Sequence, residues 1–115
     1  MNKRLSTRYY SKQQEKAVAD AIGGRTTPNS GARPYTKGDV VTAGHDEKSI
    51  LVECKTSMTD KQSFAIKKQW LETLKEEAFQ AGKSMYALAF SFGPKQENYY
   101  ILSEQKFKEL FDDEV

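Results

Sequence analysis

The chain of 115 residues holds a single cysteine, Cys54, and a single histidine, His45. One thiol excludes an internal disulfide and a multi-cysteine metal site. No apolar run approaches the roughly 20 residues needed to cross a bilayer. The basic start, MNKRLSTRYY, lacks the apolar stretch of a secretory signal. An intracellular, cytoplasmic location with no membrane partner is the expectation. Apolar residues are scarce as well, at 37% against 30% charged. The 6 Phe, 6 Tyr and 1 Trp offset that scarcity, because aromatic rings supply the wide apolar surfaces a small core needs. No repeat or low-complexity tract interrupts the chain. Its length suits one domain over 1–115, with 1–10 as a basic arm and 112–115 as a frayed acidic tail.

Net charge is only +2, yet it is unevenly spread. Residues 1–38 carry eight basic side chains (Lys3, Arg4, Arg8, Lys12, Lys16, Arg25, Arg33, Lys37) and two acidic ones (Glu15, Asp20), a net +6. The remainder therefore carries −4. Such segregation makes a local positive field suited to a polyanion such as nucleic acid, and it equally describes a solvated basic surface.

Ser11 with Gln14 has the form of a capping box, and Ala17, Val18, Ala21 and Ile22 follow as an apolar stripe that Gly23 and Gly24 stop. Glu15 falls on or beside that stripe, where a carboxylate is costly unless partnered. Residues 24–37 read as a loop, with room for a short strand. GDVVTA and SILVECKT, separated by the turn residues GHDEK, read as a hairpin. The spacing of Ile66, Trp70, Leu71, Leu74 and Ala78 predicts a helix over 62–81, capped by Asp60 or Ser63 and ended by Gly82. MYALAFSF reads as a buried central strand and NYYIL as a further strand. Ser103 and Glu104 then open a short helix carrying Phe107, Leu110 and Phe111. The order helix, hairpin, helix, strand, strand, helix predicts an α/β sandwich on a small mixed sheet.

The hairpin places chemistry. If its turn centres on Asp46, the numbers of paired residues sum to 92 and Asp39 stands opposite Glu53. Opposed residues have Cβ atoms about 4.5–5.5 Å apart. Glu53 and Lys55, two apart on one strand, share a face. Two carboxylates and an ammonium thus meet on one patch, provided the register does not slip by a residue. Carboxylates that close repel unless a cation lies between them, and Mg²⁺ suits oxygen donors of this kind. The main-chain carbonyl of Cys54 lies between the two side chains and offers another oxygen. Such a cation would polarise a scissile phosphate and acidify an attacking water. Lys55 would then position or deprotonate that water, or steady the phosphate. The alternative is a surface hairpin with cross-strand ion pairs, each worth under about 1 kcal/mol. Against it, Glu53 interrupts the apolar run ILVEC, which marks a strand that is normally buried.

These residues also form a recognisable pattern. Ser30-Gly31-Ala32-Arg33, then Gly38-Asp39-Val40, then Ile50-Leu51-Val52-Glu53-Cys54-Lys55 resembles the PD-(D/E)XK nucleases, most of all the small Holliday-junction resolvases of archaea and phages. A leading helix with Glu15, a helix after the E-x-K strand and the strand MYALAF extend the resemblance over roughly residues 10 to 102. Gly38 stands where the motif has proline. The resemblance implies a restriction-endonuclease-like core, with Mg²⁺ (Mn²⁺ as a substitute) on Asp39 and Glu53. It further implies a catalytic Lys55, with Glu15 and Ser30 at or near the site. Branched DNA is the implied substrate, a homodimer the implied assembly, and a prokaryotic or phage-infected cell the implied setting. Arg4, Arg8, Arg25, Arg33, Lys37 and Lys67 are the candidate phosphate contacts. A nuclease with flap or duplex-nicking preference, or a non-catalytic DNA-binding module, remain alternatives.

Other residues carry less. His45 sits in an exposed-looking turn, Cys54 alternates away from the active face, and Trp70 suits packing better than base stacking. Arg4, Arg8, Tyr9 and Tyr10 read as a basic-aromatic arm, either a loose tail or a clamp over DNA or a partner subunit.

Overall fold

A computed structural model of the protein describes residues 7–27 and 39–112. Arg4, Ser30, Arg33 and Lys37 therefore lie outside the described residues, as do Gly38 and most of the basic arm and acidic tail.

The first helix, α1 (Thr7–Ile22), begins earlier than the capping box requires. Ser11 is inside it, so that box does not form. Arg8, Tyr9 and Tyr10 are helical rather than part of a loose arm. A hydrogen bond one helical turn apart supports this stretch: Gln13 Nε2 donates to the Tyr9 hydroxyl at 3.1 Å. Gly23 adopts φ 69°, and Gly24 N then bonds back to Ala19 O at 2.9 Å, which closes the helix as expected. The buried stripe is rotated from the predicted one. Gln14, Val18 and Ala19 are buried and Ile22 half-buried, whereas Ala17 and Ala21 are exposed. Branched side chains gain more from burial than alanine does, so they set the rotation.

Five strands form one sheet in sequence order: β1 (Arg25–Thr26), β2 (Val40–Val41), β3 (Ile50–Lys55), β4 (Met85–Phe90) and β5 (Tyr99–Ile101). Every neighbouring pair is antiparallel except β3 and β4, which are parallel and joined through helix α2 (Lys68–Gln80). The hairpin register is the predicted one, with Val40 opposite Val52 and Val41 opposite Leu51. Its turn is tied by Asp46, whose carbonyl accepts from Ser49 N at 3.0 Å and from Ser49 Oγ at 2.7 Å. Alternation along β3 then sorts the two cores. Ile50, Val52 and Cys54 pack with Val18 and Ala19 of α1 on one face. Leu51 packs with Leu74 and Ala78 of α2 on the other. β4 is covered on both faces, which is why MYALAF is almost wholly apolar.

The second helix is shorter than its periodicity suggests. It starts at Lys68, and Lys67 occupies the cap without a side-chain hydrogen bond. Tertiary contacts hold the preceding residues out of the helix. Lys61 N donates to Phe92 O at 2.7 Å, the rings of Phe64 and Phe90 lie 5.4 Å apart, and Asp60 accepts from Gln96 Nε2 instead of capping. Gly82, at φ 73°, ends the helix. A final helix, α3 (Glu104–Glu109), is capped by Ser103, whose hydroxyl accepts from Lys106 N at 3.3 Å. Its Phe107, and Leu110 and Phe111 just beyond, are largely exposed.

Candidate active site

The end of β3 carries the site. Since Leu51 faces α2, alternation sends Glu53 and Lys55 to that same face. Lys55 Nζ is 3.4 Å from Glu53 Oε2 and 4.5 Å from the centre of the Trp70 ring. Trp70 therefore does two jobs. It packs into the α2 core, and its π face holds the ammonium beside the carboxylate.

Asp39 lies one residue before β2. Its N–H donates to Val52 O at 2.9 Å, and its Oδ2 accepts from Cys54 N at 2.8 Å. The carboxylate thus prolongs the β2–β3 pairing with a side chain. N–H and C=O of one strand residue point the same way, so the Cys54 carbonyl also faces the Asp39 side. Glu15, on α1, completes the group from the opposite face.

Burial, and for Glu53 and Glu15 the charge of Asp39, marks these acids. The Glu53 carboxyl is pushed up to about 7, first by burial and then by Asp39, with Lys55 opposing and Glu77 adding to the rise. Burial raises Asp39 as well, against the Cys54 N–H and Lys55, which pull it down. Glu15 is raised by burial and by Asp39, while Lys12 opposes. The Cys54 thiol is driven upward by burial and then by Asp39, Glu15 and Glu53. That thiol therefore stays protonated, in keeping with its packing role. It also locates the acids, since three carboxylates from three elements all act on one side chain.

Among the described residues no group of three His, Cys, Asp or Glu side chains is close enough to hold a metal ion together. The donor set that fits a cation is narrower: the Asp39 and Glu53 carboxylates, with the Cys54 carbonyl on the same side. All are oxygen donors, and the two acids are half-buried and raised above their ordinary range by that burial, Glu53 by the Asp39 charge as well. A hard divalent cation suits that chemistry.

Other predicted residues are spread around this centre. Lys67, at the N-terminus of α2, approaches the Trp70 ring at 5.8 Å and so stands near Lys55. Arg25 is exposed on β1, and Arg8 is exposed on α1. His45 is exposed, with Nδ1 3.0 Å from Gly82 O, a contact that tethers a turn. Two participants escaped the sequence reading. Gln14 is buried, and its Nε2 donates to the Lys55 carbonyl at 2.7 Å and to Asn98 Oδ1 at 3.0 Å, bracing the end of β3 from α1. Its place four residues before Val18 and eight before Ile22, on the buried stripe, was the available signal. Glu77, seven residues after Trp70 on α2, lines with Glu53 and Trp70 a cleft of about 250 Å³.

No protein-family model matches the chain, and no curated protein does. A solved structure does match: Hjc of Archaeoglobus fulgidus, a Holliday junction resolvase from an archaeal hyperthermophile, at 18% identity with a TM-score of 0.58. The match covers 84% of this chain and 74% of that one. The chain shares the fold of that structure. Its mixed sheet with helices on both faces is the architecture expected from the order of elements.

Proposed function

We propose that this protein is a metal-dependent endonuclease that hydrolyses phosphodiester bonds in branched DNA. The observation that supports it most is the convergence of Asp39, Glu53 and Lys55 at the end of β3 within a resolvase fold. Asp39 and Glu53 offer the oxygen donors for Mg²⁺ or Mn²⁺. When bound, the cation supplies charge for the scissile phosphate and lowers the pKa of an attacking water. Lys55, steadied on Trp70, directs its ammonium at the reacting phosphate or its nucleophile. Glu15 supports Asp39 from α1, and Ser30 belongs to this group on the strength of its place in the motif. Gln14 keeps the strand in position through the Lys55 carbonyl. Arg8, Arg25 and Lys67, with Arg4, Arg33 and Lys37, hold DNA phosphates, so affinity falls as salt rises. Symmetrical cutting of a junction calls for two such sites, which a two-fold homodimer acting in the cytoplasm provides.

The test is cleavage of four-way junction, flap, nicked and linear duplex DNA in Mg²⁺, with EDTA controls. Junction cleavage that EDTA abolishes is the expected result. Preference for flap or duplex would reassign the substrate. Tight DNA binding without cutting in Mg²⁺ or Mn²⁺ would leave a non-catalytic binding module.

A further inference from the structure

A second cavity, of about 370 Å³, lies on the α1 side of the sheet beside the end of β3. Its size is within the roughly 300–1,000 Å³ of small-molecule sites. One wall is α1 with Tyr10 and Gln13, and the other is the loop between β4 and β5 with Lys95, Gln96 and Asn98. Gln14, which lines the floor, is the residue that grips the Lys55 carbonyl, so the cavity is one strand away from the cutting site.

The polar groups in it are oriented by their own partners. Gln14 donates to Asn98 Oδ1, which leaves the Asn98 NH₂ to donate. Gln13 Nε2 gives one hydrogen to Tyr9 and Gln96 Nε2 one to Asp60, which fixes the two amide planes and leaves each an oxygen to accept and a second N–H to donate. A donor and acceptors near an aromatic ring, with apolar walls from Ala17 and Pro94, match the edge and face of a nucleobase.

The rim adds a second observation. Gly93, Pro94, Lys95 and Gln96 form a turn closed by Gln96 N to Gly93 O at 3.3 Å, and Lys95 sits at φ 62°. That position favours glycine, and lysine there is strained. Strain retained at the mouth of a cavity is a pointer to function, and the ammonium it carries suits a phosphate.

We propose that this cavity takes one unstacked nucleotide of the bound strand, its base against Tyr10 and the amides of Gln13, Gln96 and Asn98, its phosphate at Lys95. The inference deepens the nuclease reading and rests on it for its role in selecting DNA with unpaired bases, such as those at a branch point. The binding itself is tested without cleavage. Deoxynucleoside monophosphates are titrated into the ¹⁵N-labelled full chain, with inorganic phosphate and deoxyribose 5-phosphate as controls. Saturable shifts of the Asn98 and Gln96 side-chain amides with nucleotide, and not with either control, are expected. Tyr10→Leu should abolish them. Lys95→Gly should weaken them several-fold while leaving Tm unchanged or higher, because the turn relaxes. Shifts that are absent, scattered over the basic surface or equal with the controls would overturn the proposal. Amide shifts in a protein that cuts no DNA would sink the nuclease reading and keep the nucleotide site; cutting without amide shifts would do the reverse.

Discussion

Asp39 accepts a hydrogen bond from the backbone N–H of Cys54 at 2.8 Å, so a single carboxylate both continues a β-ladder and places charge at the site. The two jobs separate by mutation. Asp39→Asn keeps an acceptor oxygen and removes a repelling charge; Asp39→Ala leaves the Cys54 N–H without this partner, a loss of about 1–3 kcal/mol. Urea denaturation should place the alanine variant below the asparagine variant by that amount, while neither cuts DNA. Equal stability of the two would show that the hydrogen bond is not structural.

Lys55 offers a cleaner separation. Lys55→Met keeps the aliphatic stem on Trp70 and removes the ammonium. Below about pH 7 the part-buried Glu53 takes up a proton once the ammonium is gone, so no bare buried charge remains and Tm should shift little there. Single-turnover cleavage should slow on the order of 10²–10⁴-fold, the range for losing one proton-handling group. Cutting near the normal rate would remove Lys55 from the mechanism.

The acids predict a pH dependence whose sign is unusual for carboxylates. Glu53 titrates at about 7 in the fold against an ordinary 4.5, and Asp39 and Glu15 shift the same way. The protonated form is the one favoured by folding. Its stabilising contribution is complete below the ordinary carboxylate range and is lost as pH rises through about 7. In EDTA, calorimetry from about pH 5 to pH 8 should show a falling Tm that Glu53→Gln flattens. Mg²⁺ or Mn²⁺ should raise Tm most at the alkaline end, because ionised carboxylates bind the cation. A Tm in EDTA that rises over this window would contradict the burial of these groups.

Gln14 predicts an effect at a distance. Gln14→Leu fills similar space but takes from the Lys55 carbonyl the nearer of its two donors, leaving Ser91 N at 3.2 Å. A cost of about 0.5–1.5 kcal/mol, that of one hydrogen bond, is expected in urea denaturation. Cleavage should slow, while the Mg²⁺ concentration giving half-maximal rate stays near that of the wild type, because Gln14 touches the strand and not the acids. A shift in metal requirement as large as that of Glu53→Gln would place Gln14 among the cation's donors instead.

Local rules read correctly where the responsible residues are neighbours in sequence. Gly23 and Gly82 end their helices in left-handed conformations, and Ser103 caps α3. The Asp46 turn imposes the register that puts Val40 opposite Val52, and the alternation of ILVECK assigns Glu53 and Lys55 to one face before any packing is known. Partners distant along the chain decided the rest. Phe92, bonded to Lys61 N, and Phe90, against the Phe64 ring, hold residues 62–64 out of the helix that periodicity assigns them, and the length of the second helix changes as a result. Gln14 gives up a capping box to reach a carbonyl 41 residues away. Periodicity shows which face of an element turns inward; which strand, ring or carboxylate that face meets depends on burial summed over the whole chain, and no local window contains it.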